Sequence, residues 1–116
     1  MNFEQLDVWK RSARLSADIY KSTIHLKDYG FRDQLTRSGL SVPSNITEGV
    51  SRKSYKEKSR FIDIARASLA EARTQIYIGA DIGYLTKEDS HKWILETKEL
   101  GAMLTSLKNR FDKLTL

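Results

Sequence analysis

Apolar residues recur at helical spacing in four stretches separated by short polar connections. In the first, roughly Phe3 to Leu26, the residues Leu6, Trp9, Ala13, Ala17, Tyr20 and Ile24 step by three or four and share one face. A second set, Val8, Leu15, Ile19 and Leu26, flanks the first at spacings of seven, four and seven. The first face is expected to meet the rest of the protein, leaving the flank for another subunit. Asp28-Tyr29-Gly30 ends the stretch, with Gly30 free to take a positive φ.

The second stretch runs roughly from Phe31 to Gly49, with Phe31, Leu35, Val42, Ile46 and Val50 marking its inner face. Pro43 falls inside it. Proline has no N–H and its ring crowds the carbonyl four residues back, so a kinked helix, or two short helices meeting there, is expected. Ser44 and Asn45 are placed to cap the freed backbone groups.

The third helix starts at a capping box, Ser54-Tyr55-Lys56-Glu57, and carries the seam Ile62, Ala65, Leu69, Ala72, Ile76, Gly79 and Gly83. Alternating steps of three and four are heptad spacing, the pattern of helices packed at about 20°. Gly83-Tyr84-Leu85 closes this helix. Thr86-Lys87-Glu88-Asp89 opens the fourth, with two acids where the helix dipole favours them. Its seam is Trp93, Leu100, Leu104, Leu107, Phe111 and Leu114.

Helices joined by a few residues pack as antiparallel neighbours. The expected fold is therefore all-α: one domain over residues 1–116, an antiparallel up-down-up-down four-helix bundle with the second helix kinked near Pro43. No strand-like alternation or low-complexity segment interrupts it, and the periods are too irregular for a helical repeat array.

Composition narrows the chemistry. The absence of cysteine removes disulfides, thiolate catalysis and thiolate metal sites, and fits a reducing compartment. No signal peptide opens the chain, and no apolar run approaches the ~20 residues that span a bilayer. A cytoplasmic protein without membrane contact is expected.

Of the two histidines, His25 sits at the end of the first helix and His91 near the start of the fourth. Glu88-x-x-His91 has the spacing of carboxylate-bridged di-iron bundles, but those sites need a second such pair and two further inward glutamates. Only one pair exists here, at a helix start. No phosphate-cradling glycine loop or nucleophile motif is present. Asn45 and Glu48, three apart beside Ile46, could form a ligand-binding pair. Satisfying backbone groups near Pro43 and the helix end is the plainer reading. A non-enzymatic protein with no metal and no cofactor is expected.

The net charge is +5, and Arg52 to Arg73 carries +4 of it, with seven basic residues against three acids. The basic residues are Arg52, Lys53, Lys56, Lys58, Arg60, Arg66 and Arg73. On the first helix, Lys10, Arg14 and Lys21 fall within about 40° of one another. Such charge is either a footprint for nucleic-acid phosphates or a solvated face. On a single chain the solvated face is the plainer reading; a symmetric oligomer would repeat the patch into a ring or band.

Ser41-Val42-Pro43-Ser44-Asn45-Ile46-Thr47-Glu48-Gly49 resembles the signature of the 23S rRNA intervening-sequence protein family. Further pieces match in order: Leu6-Asp7-Val8-Trp9, Ile19-Tyr20, Tyr29 to Leu35, Ala65 to Glu71, and Ile82-Gly83-Tyr84-Leu85. Two departures stand out. The connection Ile24 to Asp28 is shorter than usual and lacks proline, and Thr47 stands where alanine is usual. The resemblance implies a bacterial antiparallel four-helix bundle, commonly a homopentameric ring, without known catalytic activity. A related branch, the accessory protein of diversity-generating retroelements, is a basic pentamer that binds nucleic acid and the reverse transcriptase.

Together these readings lead to an oligomeric bundle binding nucleic acid, RNA rather than DNA, through the seven basic residues. A protein-interaction scaffold without direct nucleic-acid binding is the alternative, supported by the surplus apolar stripe of the first helix.

Overall fold

The computed structural model describes residues 1–115. A 3-10 turn, Phe3–Gln5, leads into four helices: α1 (Asp7–Thr23), α2 (Tyr29–Ser51), α3 (Tyr55–Asp81) and α4 (Lys87–Lys113). They lie side by side in a rod of 48 × 21 × 21 Å. Each consecutive pair packs together, and α4 returns to α1. Cross-helix contacts run in opposing directions. Trp9 meets Thr47 while Ser16 meets Gly39; Ser38 meets Glu71 while Ser41 meets Ser68; Ser59 meets Asp112 while Arg73 meets Thr97. The neighbours are therefore antiparallel.

The expected seams of α3 and α4 form the core. Ile62, Ala65, Leu69, Ala72 and Ile76 are buried against Trp93, Leu100, Leu104, Leu107 and Phe111. Both expected N-caps form, with Ser54 Oγ accepting from Glu57 N at 3.1 Å and Thr86 Oγ1 from Asp89 N at 3.0 Å. Gly83 and Leu114 leave their seams: Gly83 lies beyond the end of α3, and Leu114 is exposed just beyond α4.

On α1 the two apolar stripes partly exchange roles. Val8, Leu15, Ile19 and Leu26 enter the core, whereas Tyr20 is 45% and Ile24 74% exposed. The expectation that the Leu6–Ile24 stripe faces the bundle is thus corrected at Tyr20 and Ile24, while Leu6 and Trp9 do pack against the core. Polar residues disguised the true face. Ser12, Ser16 and Thr23 share the buried side, and Ser12 and Thr23 return their hydroxyls to the carbonyls of Trp9 and Ile19. A hydroxyl satisfied within its own helix can be buried without a partner elsewhere. Only the Tyr20 and Ile24 end of the first stripe is therefore surplus, since Leu6 and Trp9 pack partly buried against the core.

One turn expectation also changes. Gly30 is helical, in the first turn of α2, and the N-cap is Asp28, whose carboxylate accepts from Phe31 N at 3.1 Å. The positive φ falls instead at Gly83, at 81°. There Tyr84 N donates to Gly79 O at 2.9 Å and Gly83 N to Ala80 O at 3.2 Å, a Schellman closure that needs a residue tolerant of the left-handed region.

Helix α2 passes through Pro43 unbroken, so the division into two short helices does not occur. Tertiary packing outweighs the lost hydrogen bond, since Pro43 is itself buried with Val42 and Ile46. Neighbouring carbonyls gain side-chain donors: Asn45 Nδ2 reaches Ser41 O at 2.8 Å and Thr47 Oγ1 reaches Pro43 O at 3.1 Å. The same Thr47 hydroxyl accepts from the Trp9 indole at 3.1 Å, tying α2 to α1.

Candidate nucleic-acid interface

Antiparallel packing brings the α2–α3 turn and the C-terminal end of α4 to one end of the rod. Ser59 Oγ donates to Asp112, and the Tyr55 and Phe111 rings lie 6.0 Å apart. Arg52, Lys53, Lys56, Lys58 and Arg60 are thereby joined by Lys108, Arg110 and Lys113, against Glu48, Glu57 and Asp112 in the same segments and Asp7 of α1, which lines a cavity with Arg110. Arg110 and Lys113 lie in the last turn of α4, where the helix dipole favours cations. Only the topology shows that they extend the basic patch.

These cations are not equivalent. Arg52 pairs with Glu48 at 3.1 Å and Arg60 with Glu57 at 2.9 Å, and each guanidinium lies 4.6 Å from the Phe61 ring centre. One aromatic ring thus orients both guanidiniums. Lys58 Nζ donates to Val50 O at 2.7 Å, closing the end of α2. Lys108 holds Asp112 at 2.8 Å. That ammonium, followed by the Ser59 hydroxyl, keeps the Asp112 carboxyl below the usual aspartate range. Lys53, Lys56, Arg110 and Lys113 make no ion pair among the described residues. Exposed Tyr55 stands beside Lys53 and Lys56 and offers part of an aromatic face to an unpaired base.

Arg66 and Arg73 do not join this end. They lie along the side of the rod, between α3 and α4, where Arg66 pairs with Asp63 at 3.1 Å and Arg73 bonds Thr97. The seven expected site residues therefore divide into an end cluster of five and a side pair. Arg73 as an oriented cation left no trace in the sequence, because its partner Thr97 is a buried neutral residue on another helix.

The pair Asn45 and Glu48 separates. Asn45 Nδ2 also reaches Ser41 Oγ at 2.9 Å, while Glu48 turns outward to Arg52. Ser41 meets Ser68 at 2.8 Å and Ser38 meets Glu71 at 2.8 Å, so the Ser41–Gly49 and Ala65–Glu71 segments face each other as a polar seam between α2 and α3. At Gly49 a Cβ would lie 3.1 Å from both Lys58 O and Phe61 Cβ, which fixes how closely α3 approaches. Glu88 and His91 are both exposed, and no group of three potential metal ligands occurs among the described residues.

A further surface runs along α1 and α2. Trp9, Ala13, Leu40 and Pro43 border one cavity of about 280 Å3, and Tyr20, Ile24 and Leu40 border the next, of about 440 Å3. Shared Leu40 joins them into one groove, in which Arg32, Asp33, Thr36 and Arg37 flank the apolar side chains. No helix among the described residues is long and apolar enough to cross a membrane.

A model of the 23S rRNA-intervening sequence protein family matches residues 4–106. Among solved structures, a protein of unknown function from the S23 ribosomal protein family of Bacteroides thetaiotaomicron superposes with a TM-score of 0.82. It is 23% identical, and the match covers 87% of this chain and 97% of that one. At that identity the likeness speaks to the fold. No curated protein matches the chain.

Proposed function

This chain belongs to the 23S rRNA-intervening sequence protein family, and from that premise we propose that it is a non-enzymatic, oligomeric bundle that binds nucleic acid, RNA in preference to DNA, through its basic end. The observation that carries the reading is the convergence of cations from the α2–α3 turn and from α4 around exposed Tyr55. Lys53, Lys56, Arg110 and Lys113 supply charge for phosphates, and Arg52 and Arg60 supply forked donors already oriented by Phe61. Tyr55 favours RNA, whose loops and ends expose unstacked bases that duplex DNA withholds.

Oligomerisation rests on the α1–α2 groove. Tyr20, Ile24 and Leu40 are each about half exposed or more along one groove edged by Arg32, Asp33 and Arg37, which a second copy would cover. A ring would set several basic ends side by side. The same groove favours a second reading, an accessory scaffold that docks a protein and leaves nucleic acid alone.

Fluorescence anisotropy with an RNA hairpin and a duplex DNA of equal length separates the two readings. Wild-type protein is expected to bind the hairpin more tightly at low salt. The double variant Lys53→Glu/Lys56→Glu is expected to bind at least tenfold more weakly while keeping its oligomeric state. No RNA binding by either protein would leave the scaffold reading, and equal binding by both would refute the basic end as the nucleic-acid surface.

A further inference from the structure

On the side of the rod, between α3 and α4, lies a shallow trough of about 470 Å3. Arg66, Arg73 and Lys98 border it, with Asp63 as its one acid. That acid is already bonded to Arg66 at 3.1 Å.

Arg73 is the unusual member. Its Nε donates to Thr97 Oγ1 at 2.8 Å and its Nη2 to Thr97 O at 3.1 Å. Thr97 is fully buried, so the guanidinium is anchored from below by a fixed and neutral partner. No carboxylate ion pair to Arg73 occurs among the described residues. An arginine held this way keeps its full charge and its remaining N–H donors, and its side-chain entropy is already spent.

The surroundings keep that fork open. Ala67 and Ala70 form a low wall, and a Cβ at Gly101 would lie 3.6 Å from Arg73 Nη2. A longer side chain at 101 would cover the guanidinium. Arg66 stands seven residues before Arg73, about 10.5 Å along the same helix, and Lys98 approaches from α4.

We propose that this trough is a seat for a phosphoryl group, with Arg73 as its oriented donor and Arg66 and Lys98 as flanking cations. The forked N–H groups of arginine match phosphoryl oxygens. The phosphoryl group belongs either to an RNA strand running from the basic end along the rod, a source that rests on the nucleic-acid reading above, or to a small diphosphate, which does not.

The test follows the Arg73 Nε–H resonance of the full chain by NMR. Inorganic pyrophosphate and the RNA hairpin are titrated separately, with sodium chloride at matched ionic strength as control. Pyrophosphate is expected to move the Arg73 signal where chloride does not. Lys98→Glu, and Gly101→Asp, which sets a carboxylate against Arg73 without removing it, are each expected to weaken the effect about tenfold, the scale of one charge-assisted hydrogen bond. An RNA-induced shift lost in the same variants identifies the strand as the source. A pyrophosphate shift without RNA binding anywhere keeps the seat and removes the nucleic-acid reading. No Arg73 shift with either ligand overturns the seat. RNA binding that survives Lys98→Glu and Gly101→Asp but fails in Lys53→Glu/Lys56→Glu, with Arg73 unmoved, overturns the seat alone.

Discussion

Replacing Gly49 by alanine isolates the close approach of α2 to α3. In an open helical position the exchange stabilises by about 1 kcal/mol, because alanine loses less backbone entropy. At Gly49 the new Cβ would stand 3.1 Å from Lys58 O, 3.1 Å from Phe61 Cβ and 3.3 Å from Ile62 Cδ1. Lys58 O belongs to the backbone of α3 and cannot swing aside, so the helix itself must shift. Overpacking of this kind costs about 1–3 kcal/mol, leaving Gly49→Ala neutral to about 2 kcal/mol destabilised. Gly101→Ala is the internal control, since its Cβ meets nothing nearer than Arg73 Nη2 at 3.6 Å. It is expected to gain up to about 1 kcal/mol. Subtracting the two removes the shared propensity effect and leaves a gap of about 1–3 kcal/mol between the variants. Urea unfolding followed by circular dichroism at pH 7 reads that gap directly. Two variants of equal stability would refute the close approach at Gly49.

Other consequences are open to measurement. The Asp112 carboxyl is held below the usual aspartate range by Lys108 and then Ser59, so its contribution is present above the unfolded pKa and lost as pH falls through the folded one. Urea midpoints should therefore drop below about pH 4, and Asp112→Asn should flatten that acid limb while lowering stability at pH 7; an unchanged limb would contradict the assignment. Ile24→Glu, on the most exposed large apolar side chain, at the C-cap of α1, should reduce the molar mass seen by light scattering without altering the helical signal. A wild-type monomer would remove the groove as a self-association surface.

Much of the fold was legible because helical period and cap chemistry are local. Ser54 and Thr86 mark their helix starts within four residues, and the α3 and α4 seams are apolar at nearly every heptad position. α1 was misread for a physical reason. Its core side mixes Val8, Leu15 and Ile19 with Ser12, Ser16 and Thr23; the Ser12 and Thr23 hydroxyls turn back onto the helix, and the Ser16 backbone lies close to Gly39. Its exposed side carries Tyr20, and Ile24 follows at its end, so hydrophobicity alone pointed the wrong way. At Pro43 only the division into two helices fails, since burial against the core holds together a helix that the missing N–H would weaken.

The candidate site was half legible. Arg52 to Arg60 are adjacent in sequence and stay together, but Lys108, Arg110 and Lys113 reach them only through the antiparallel return of α4. Arg66 and Arg73 share a charge run with the end cluster and none of its geometry, because α3 rises about 1.5 Å per residue and carries them along the rod. Thr47 gains meaning only in three dimensions, where its hydroxyl joins the Trp9 indole to the Pro43 carbonyl.

The salt dependence of RNA binding tests the central reading most directly. Neutralising single-strand phosphates with Lys53, Lys56, Arg110 and Lys113 should give log K against log salt a slope of about −3 for each chain engaged, or about a fifty-fold loss between about 50 and 200 mM. A slope at least that steep, made shallower by Lys53→Glu/Lys56→Glu, is the expected result. Binding that ignores salt, or no binding at 50 mM or below, would contradict a basic end built for nucleic acid.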